Sequence, residues 1–185
     1  LLIAFTAGSV NAQSTPDQLL MDAFAQMNAG AKKNDEAAMA AGVEALRKFA
    51  QQAPDGHKLK QPAVATLAFL DQLRESERQL AKEAGAQPPT NPGRRVVRSG
   101  VISGRVLELP RPSKPTIAKE AKAHGSVSVK VEVGEDGQVA RILAVAGHPL
   151  LQQAAVEAAL KTRFAPTKFN GTLIKIQGSL VYNFE

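Results

Sequence analysis

The chain has 185 residues, a formal charge of +6, 44% hydrophobic and 4% aromatic content, and no cysteine. That is enough apolar sequence for a core, while the missing cysteines exclude disulfides, thiolate metal sites and Cys nucleophiles. No Trp, a single Tyr and mostly scattered Lys and Arg leave neither stacking platforms nor a basic recognition motif, so nucleic acid is not an expected partner.

The chain opens with "LLIAFTAGSVNAQ", a short apolar run ending in Val10-Asn11-Ala12, the small-x-Ala pattern that signal peptidase cuts. Residues 1–12 therefore read as an export signal cleaved after Ala12, or else as part of a membrane anchor. About a dozen apolar residues fall short of the ~20 a spanning helix needs.

Residues 14–85 read as a small helical bundle. Thr15-Pro16 is an N-cap followed by a first-turn proline. Leu19, Leu20, Ala23, Phe24 and Met27 then share one helical face, up to a stop near Asn28-Ala29-Gly30. Asn34-Asp35-Glu36 opens a second helix striped by Met39, Val43, Leu46, Phe49 and Ala50. A third runs from about Pro62 to Ala84 with Val64, Leu67, Phe69, Leu70, Leu73 and Leu80. Its charged later half is expected to project into water. The first two helices have the outline of a helix-turn-helix repeat unit, but nothing recurs at a fixed period, so a packing or docking module is the plain reading.

Residues 86–100, with Pro88, Pro89 and Pro92, read as an extended, wet linker of about 45 Å reach. From residue 101 the pattern becomes α+β. Val101 to Leu109 is short and extended, and a short helix follows Pro115 and stops at Gly125. Val127, Val129, Val131 and Val133 alternate with Ser128, Lys130 and Glu132 before the turn Gly134-Glu135-Asp136-Gly137, which defines a hairpin. "LLQQAAVEAALK" is a helix presenting small residues to a sheet. Asn170-Gly171 then turns the chain into a last strand with Ile174, Ile176, Gly178, Leu180, Tyr182 and Phe184 on one face. The fold class expected is an antiparallel sheet with two helices on one side, preceded by an all-helical region.

No enzyme chemistry emerges. His57, His124 and His148 each adjoin a glycine, and they lack metal-ligand spacing. Asp35-Glu36 reads as a cap and Glu135-Asp136 as a turn; "GEDG" lacks the remaining ligands of a calcium loop. There is no G-x-S-x-G and no phosphate-cradling loop. The expectation is a non-enzyme without cofactor or metal.

Pro112-x-x-Pro115-x-x-Ala118, "VSVKVEVGEDGQV", "GHPLLQQAAVEAAL", Phe164-x-Pro166 and "NGTLIKIQGSLVYNF" occur in order over residues 101–185. In that order they resemble the C-terminal domain of TonB-family proteins. The resemblance implies a domain that reaches the periplasmic side of outer-membrane transporters and pairs with an extended transporter segment, passing on energy from inner-membrane motor proteins. Such pairing is β-augmentation. The receiving strand implied is the C-terminal one, giving Leu173, Ile174, Lys175, Ile176 and Gln177 as partner-binding residues, with Lys119 alongside. Their unsatisfied backbone edge is the expected site, although Lys175 would also serve as a guard against stray pairing. The sequence departs from the family at Lys114, where many members have Tyr, at Thr162, where many have Trp, and in lacking a long proline-rich spacer.

The expected localisation is the periplasm, with or without an inner-membrane anchor. The alternative is a soluble periplasmic scaffold that uses the same domain without transducing energy. An unpaired edge also allows a homodimer, and Arg94, Arg95 and Arg98 suggest contact with peptidoglycan.

Overall fold

The computed structural model describes residues 15–86, 96–101 and 106–185. The export or anchor segment, residues 1–12, lies outside them, as do Arg94 and Arg95.

Local chemistry sets the first helices. Thr15 and Gln18 exchange side-chain to backbone hydrogen bonds of 2.9 and 3.3 Å, a reciprocal capping box that starts α1 (Pro16–Lys33). The helix does not stop at Gly30. That residue is buried because a Cβ there would lie 2.8 Å from Met39 Cγ, so its smallness serves packing, and Asn34 at φ 52° ends the helix instead. Asp35 caps α2 (Glu36–Gln52) by accepting the Ala38 N–H. At Gly42 a Cβ would meet Met27 Cγ at 2.5 Å, which is why α1 and α2 lie so close.

The third helix, α3 (Lys60–Ala86), begins and ends beyond its expected limits. Ala63, Thr66, Leu67 and Leu70 are its buried stripe, while Val64, expected on that stripe, is exposed. Thr66 is tolerated inside because its hydroxyl donates to the Pro62 carbonyl. The charged later half does not simply project into water. Leu73, Glu77 and Leu80 are half-buried along one helical face, and Glu77 Oε1 accepts the Val145 N–H at 3.0 Å.

The C-terminal part contains β1 (Val96–Val101), β2 (Val106–Glu108), α4 (Thr116–Glu120), β3 (Gly125–Val133), β4 (Val139–Ala146), α5 (Pro149–Lys161), β5 (Arg163–Phe164), β6 (Lys168–Phe169), β7 (Thr172–Leu173) and β8 (Lys175–Phe184). The main sheet has the order β1-β8-β3-β4. β8 runs antiparallel to β3 in unbroken register from Gly125↔Phe184 to Val133↔Ile176. The alternating valines of β3 and Ile176, Leu180, Tyr182 and Phe184 of β8 form one buried face, covered by α5. Two small ribbons, β2 with β5 and β6 with β7, complete the strands among the described residues, the latter turning at Asn170-Gly171.

The α+β architecture agrees with the sequence reading, but the short strands β5 and β6 were not expected. The helix after Pro115 ends at Glu120 while Gly125 opens β3, and the main sheet holds a further strand. β1 pairs parallel to β8, and its residues were expected to be linker. Residues 96–100 thus leave the extended spacer and shorten the reach reckoned for it.

The two halves are not independent bodies on a string. Buried side chains from α1–α3 and from the α+β part form one apolar cluster. At the seam, Asn28 Nδ2 donates to the Ala121 carbonyl, Lys58 pairs with Glu120, and Arg141 pairs with Glu83.

Candidate functional site

A sheet offers a visitor its unpaired edges, and this one has two outer edges, along β4 and beyond β8. On the β4 side, α3 lies alongside and Glu77 takes the Val145 amide, which blunts that edge with a carboxylate. On the β8 side, the edge turned away from β3 holds β1 in the pairs Val96↔Lys175, Val97↔Ile176, Arg98↔Gln177 and Val101↔Ser179. The vacancy expected along the final strand is therefore filled by the chain itself. Among the described residues, β8 has a neighbour on both sides over residues 176–179.

The expected partner-binding residues fall into three groups. Leu173 ends β7 and is exposed, and Ile174 is buried with its N–H donating to the Thr167 carbonyl at 3.0 Å. Lys175, Ile176 and Gln177 begin β8. Ile176 points into the core, and the other two lie on the opposite, half-buried face. Lys175 is not a free guard: its Nζ lies 3.7 Å from Glu132 Oε1, and Gln177 Nε2 donates to Glu132 Oε2 at 3.2 Å. Glu132 sits directly opposite Gln177 in the ladder, so one carboxylate holds both side chains of the edge. Lys119 is not brought to this group. It is exposed on α4, which feeds β3 opposite Phe184, while Lys175 lies at the other end of β8, about 30 Å of strand away.

Sequence reasoning missed β1 and Glu132. Two adjacent β-branched residues at Val96-Val97 were the signal for the first. Strict alternation placing Glu132 on the polar face was the signal for the second.

Beneath the sheet, Thr162 is buried at the end of α5, donates to the Ala158 carbonyl and meets the Tyr182 hydroxyl at 3.0 Å. Here a short side chain partners the phenol from below. Burial raises the Tyr182 pKa above its ordinary value. Thr162→Val should cost about 1–3 kcal/mol, because the phenol keeps its burial and loses its partner. Urea unfolding followed by the fluorescence of this sole tyrosine checks it; an unchanged midpoint would contradict the bond. Lys114, the other departure, donates to the main-chain oxygen of Glu185 and so ties the approach to α4 to the end of β8.

The histidines serve structure. His57 accepts the Leu59 N–H, contacts Asp17 at 3.2 Å and sets its ring edge-on to Phe49. His124 Nδ1 lies 3.0 Å from the Lys122 carbonyl. His148 caps α5: Nδ1 accepts the Leu150 N–H, so the neutral ring carries its proton on Nε2 and donates it to Asn28 Oδ1 at 3.0 Å. Burial first, then the neighbouring His124, push its pKa down to about 4. Asp136 closes the hairpin turn on the Gln138 N–H. Among the described residues no group of three or more His, Asp or Glu is placed to hold a metal ion. A cleft between α2–α3 and β4–α5, with Met39, Leu70, Arg74 and Gln152 on its walls, brings no nucleophile and base together.

This is a small α+β domain whose C-terminal strand carries β1 along its outer edge. Residues 110–185 match the family model described as Gram-negative bacterial TonB protein C-terminal, and this part of the chain is similar to that domain. The family is non-enzymatic, belongs to the Gram-negative envelope and is involved in the energy coupling of transport, with protein partners. No curated protein matches the chain. Among the described residues no helix is long and apolar enough to cross a membrane.

Proposed function

We propose that this protein works in the periplasm, docks onto an extended segment of an outer-membrane transporter by strand addition at β8, and takes part in energy-coupled transport with inner-membrane motor proteins. The observation that supports this reading most is the β1–β8 pairing. The outer edge of β8 takes a parallel strand in register with Lys175, Ile176, Gln177 and Ser179. An edge able to do so for one extended segment has the backbone geometry to do so for another. Specificity then comes from the face bearing Lys175, Gln177 and Glu132.

The filled edge favours a second reading, a periplasmic scaffold in which β1 stays in place and partners bind elsewhere. The shared core of the two halves suits that reading as well. A titration separates the two. A synthetic peptide of the transporter's periplasm-facing segment, added to the full chain, should move amide resonances of Lys175 to Ser179. Saturating peptide that leaves these resonances in place would defeat the docking reading and favour the scaffold.

A further inference from the structure

We infer that β1 is an internal competitor for the β8 edge, so that docking proceeds by strand exchange and the chain regulates its own affinity. This deepens the docking reading and rests on it for the identity of the natural visitor; the competition itself belongs to this chain alone.

The two ladders on β8 differ in kind. β3 holds β8 antiparallel and without interruption from Ile176 to Phe184. β1 holds it parallel, which is the weaker pairing per residue, and its register shifts between Arg98 and Val101. That shift falls on Ser99-Gly100, and glycine inside a strand weakens it. Among the described residues, the pairs between β1 and β8 reach as far as Ser179. Further along β8, Val181 is 47% exposed beside a groove lined by Leu109, Pro110, Arg111 and Pro112. Among the described residues no strand pairs with β8 on this side beyond Ser179, so a visitor longer than the described β1 has further backbone to meet. Lastly, β1 is tethered to the domain it covers. A tethered segment competes at an effective concentration of millimolar order. A free segment of similar intrinsic strength is thereby reduced in apparent affinity by the fraction of time the edge is open.

The test uses the full chain and a peptide of its own residues 94–102, Arg-Arg-Val-Val-Arg-Ser-Gly-Val-Ile. Successive strand residues direct their N–H groups alternately, so Val97→Pro with Arg98→Pro removes a donor to β8 whichever way β1 faces. This double variant should bind the peptide roughly tenfold more tightly than the parent, with shifts at Lys175 to Ser179. A second variant guards against misfolding. Arg98→Cys with Gln177→Cys places the only two cysteines directly opposite each other, so oxidation locks β1 and reduction frees it. The oxidised form should bind no peptide, and reduction should restore binding. Equal binding by parent and double-proline variant, or by locked and reduced forms, overturns the competition. A transporter-segment peptide forms the second arm. If it binds none of these proteins while the chain's own peptide behaves as expected, the competition stands and the transporter reading falls. If it binds the locked form as well as the reduced one, strand exchange is overturned.

Discussion

Acidification from pH 7 to pH 4 is expected to remove about 3 kcal/mol from the folded state through His148, roughly 2 of them by pH 5. The folded pKa is about 4 against the ordinary 6.5. The unfolded chain therefore takes its proton first as the pH falls. Stability is complete above pH 6.5, is lost progressively below it, and the loss levels off beneath pH 4. The carboxyls of Asp55 and Asp71 are held below their usual range by hydrogen bonds from Lys60 and Arg47. Urea unfolding at pH 7, 6 and 5 measures the slope. His148→Asn keeps a side-chain acceptor at the N-cap and removes the titration, so its midpoint should stay nearly level between pH 6.5 and 5. A parent midpoint that is itself level over that interval would contradict the buried neutral ring. The effect concerns the whole molecule, because His148 joins the domain's α5 to Asn28 of the helical half.

Gly137→Ala should cost about 3 kcal/mol, from backbone strain and overpacking together. Gly137 has φ +81°, in the left-handed region, and a Cβ there would lie 2.1 Å from the Phe164 carbonyl oxygen. The same glycine accepts the Phe164 N–H through its own carbonyl at 2.8 Å, and Phe164 is 2% exposed. The hairpin turn and β5 are thus seamed together by backbone alone, and β5 in turn carries β2. Denaturant unfolding reads the loss, and a change below about 0.5 kcal/mol would show that the turn tolerates a side chain and that the seam is looser than described.

The features legible in the sequence were those written within a dozen residues. The valines at 127, 129, 131 and 133 announced a buried face, Asn170-Gly171 a turn, and Thr15-Pro16 a helix start, each through local sterics or a local hydrogen bond. What escaped depends on distant partners. Val96 to Val101 looks like linker because its neighbours are prolines, glycines and arginines, and nothing nearby reveals that β8, some 80 residues on, completes it. The charges of α3 suggested a solvated arm, yet Leu73, Glu77 and Leu80 recur at helical spacing, and Glu77 finds its donor only once β4 is in place. Asn28 and His148, 120 positions apart in the chain, gave no sign that one would hold the other.

For the candidate site, the sequence pointed to the C-terminal strand and expected its outer edge to be vacant, where β1 lies. Alternation identified β8 and its inward face, but an occupied edge has no signature in the strand that is occupied. The family match does not include β1, which precedes residue 110. The departures at Lys114 and Thr162 are absorbed by the fold, the first on the Glu185 main chain and the second beneath Tyr182. Neither touches the edge.

Amide hydrogen exchange on the full chain, with and without a saturating transporter-segment peptide, bears most directly on whether β8 changes neighbours. Loss of protection across Val96–Val101, while Lys175–Phe184 stays protected, is the pattern that swapping one strand for another must produce. A bound peptide that leaves Val96–Val101 as protected as before would mean that the edge never opens and that contact is made somewhere else.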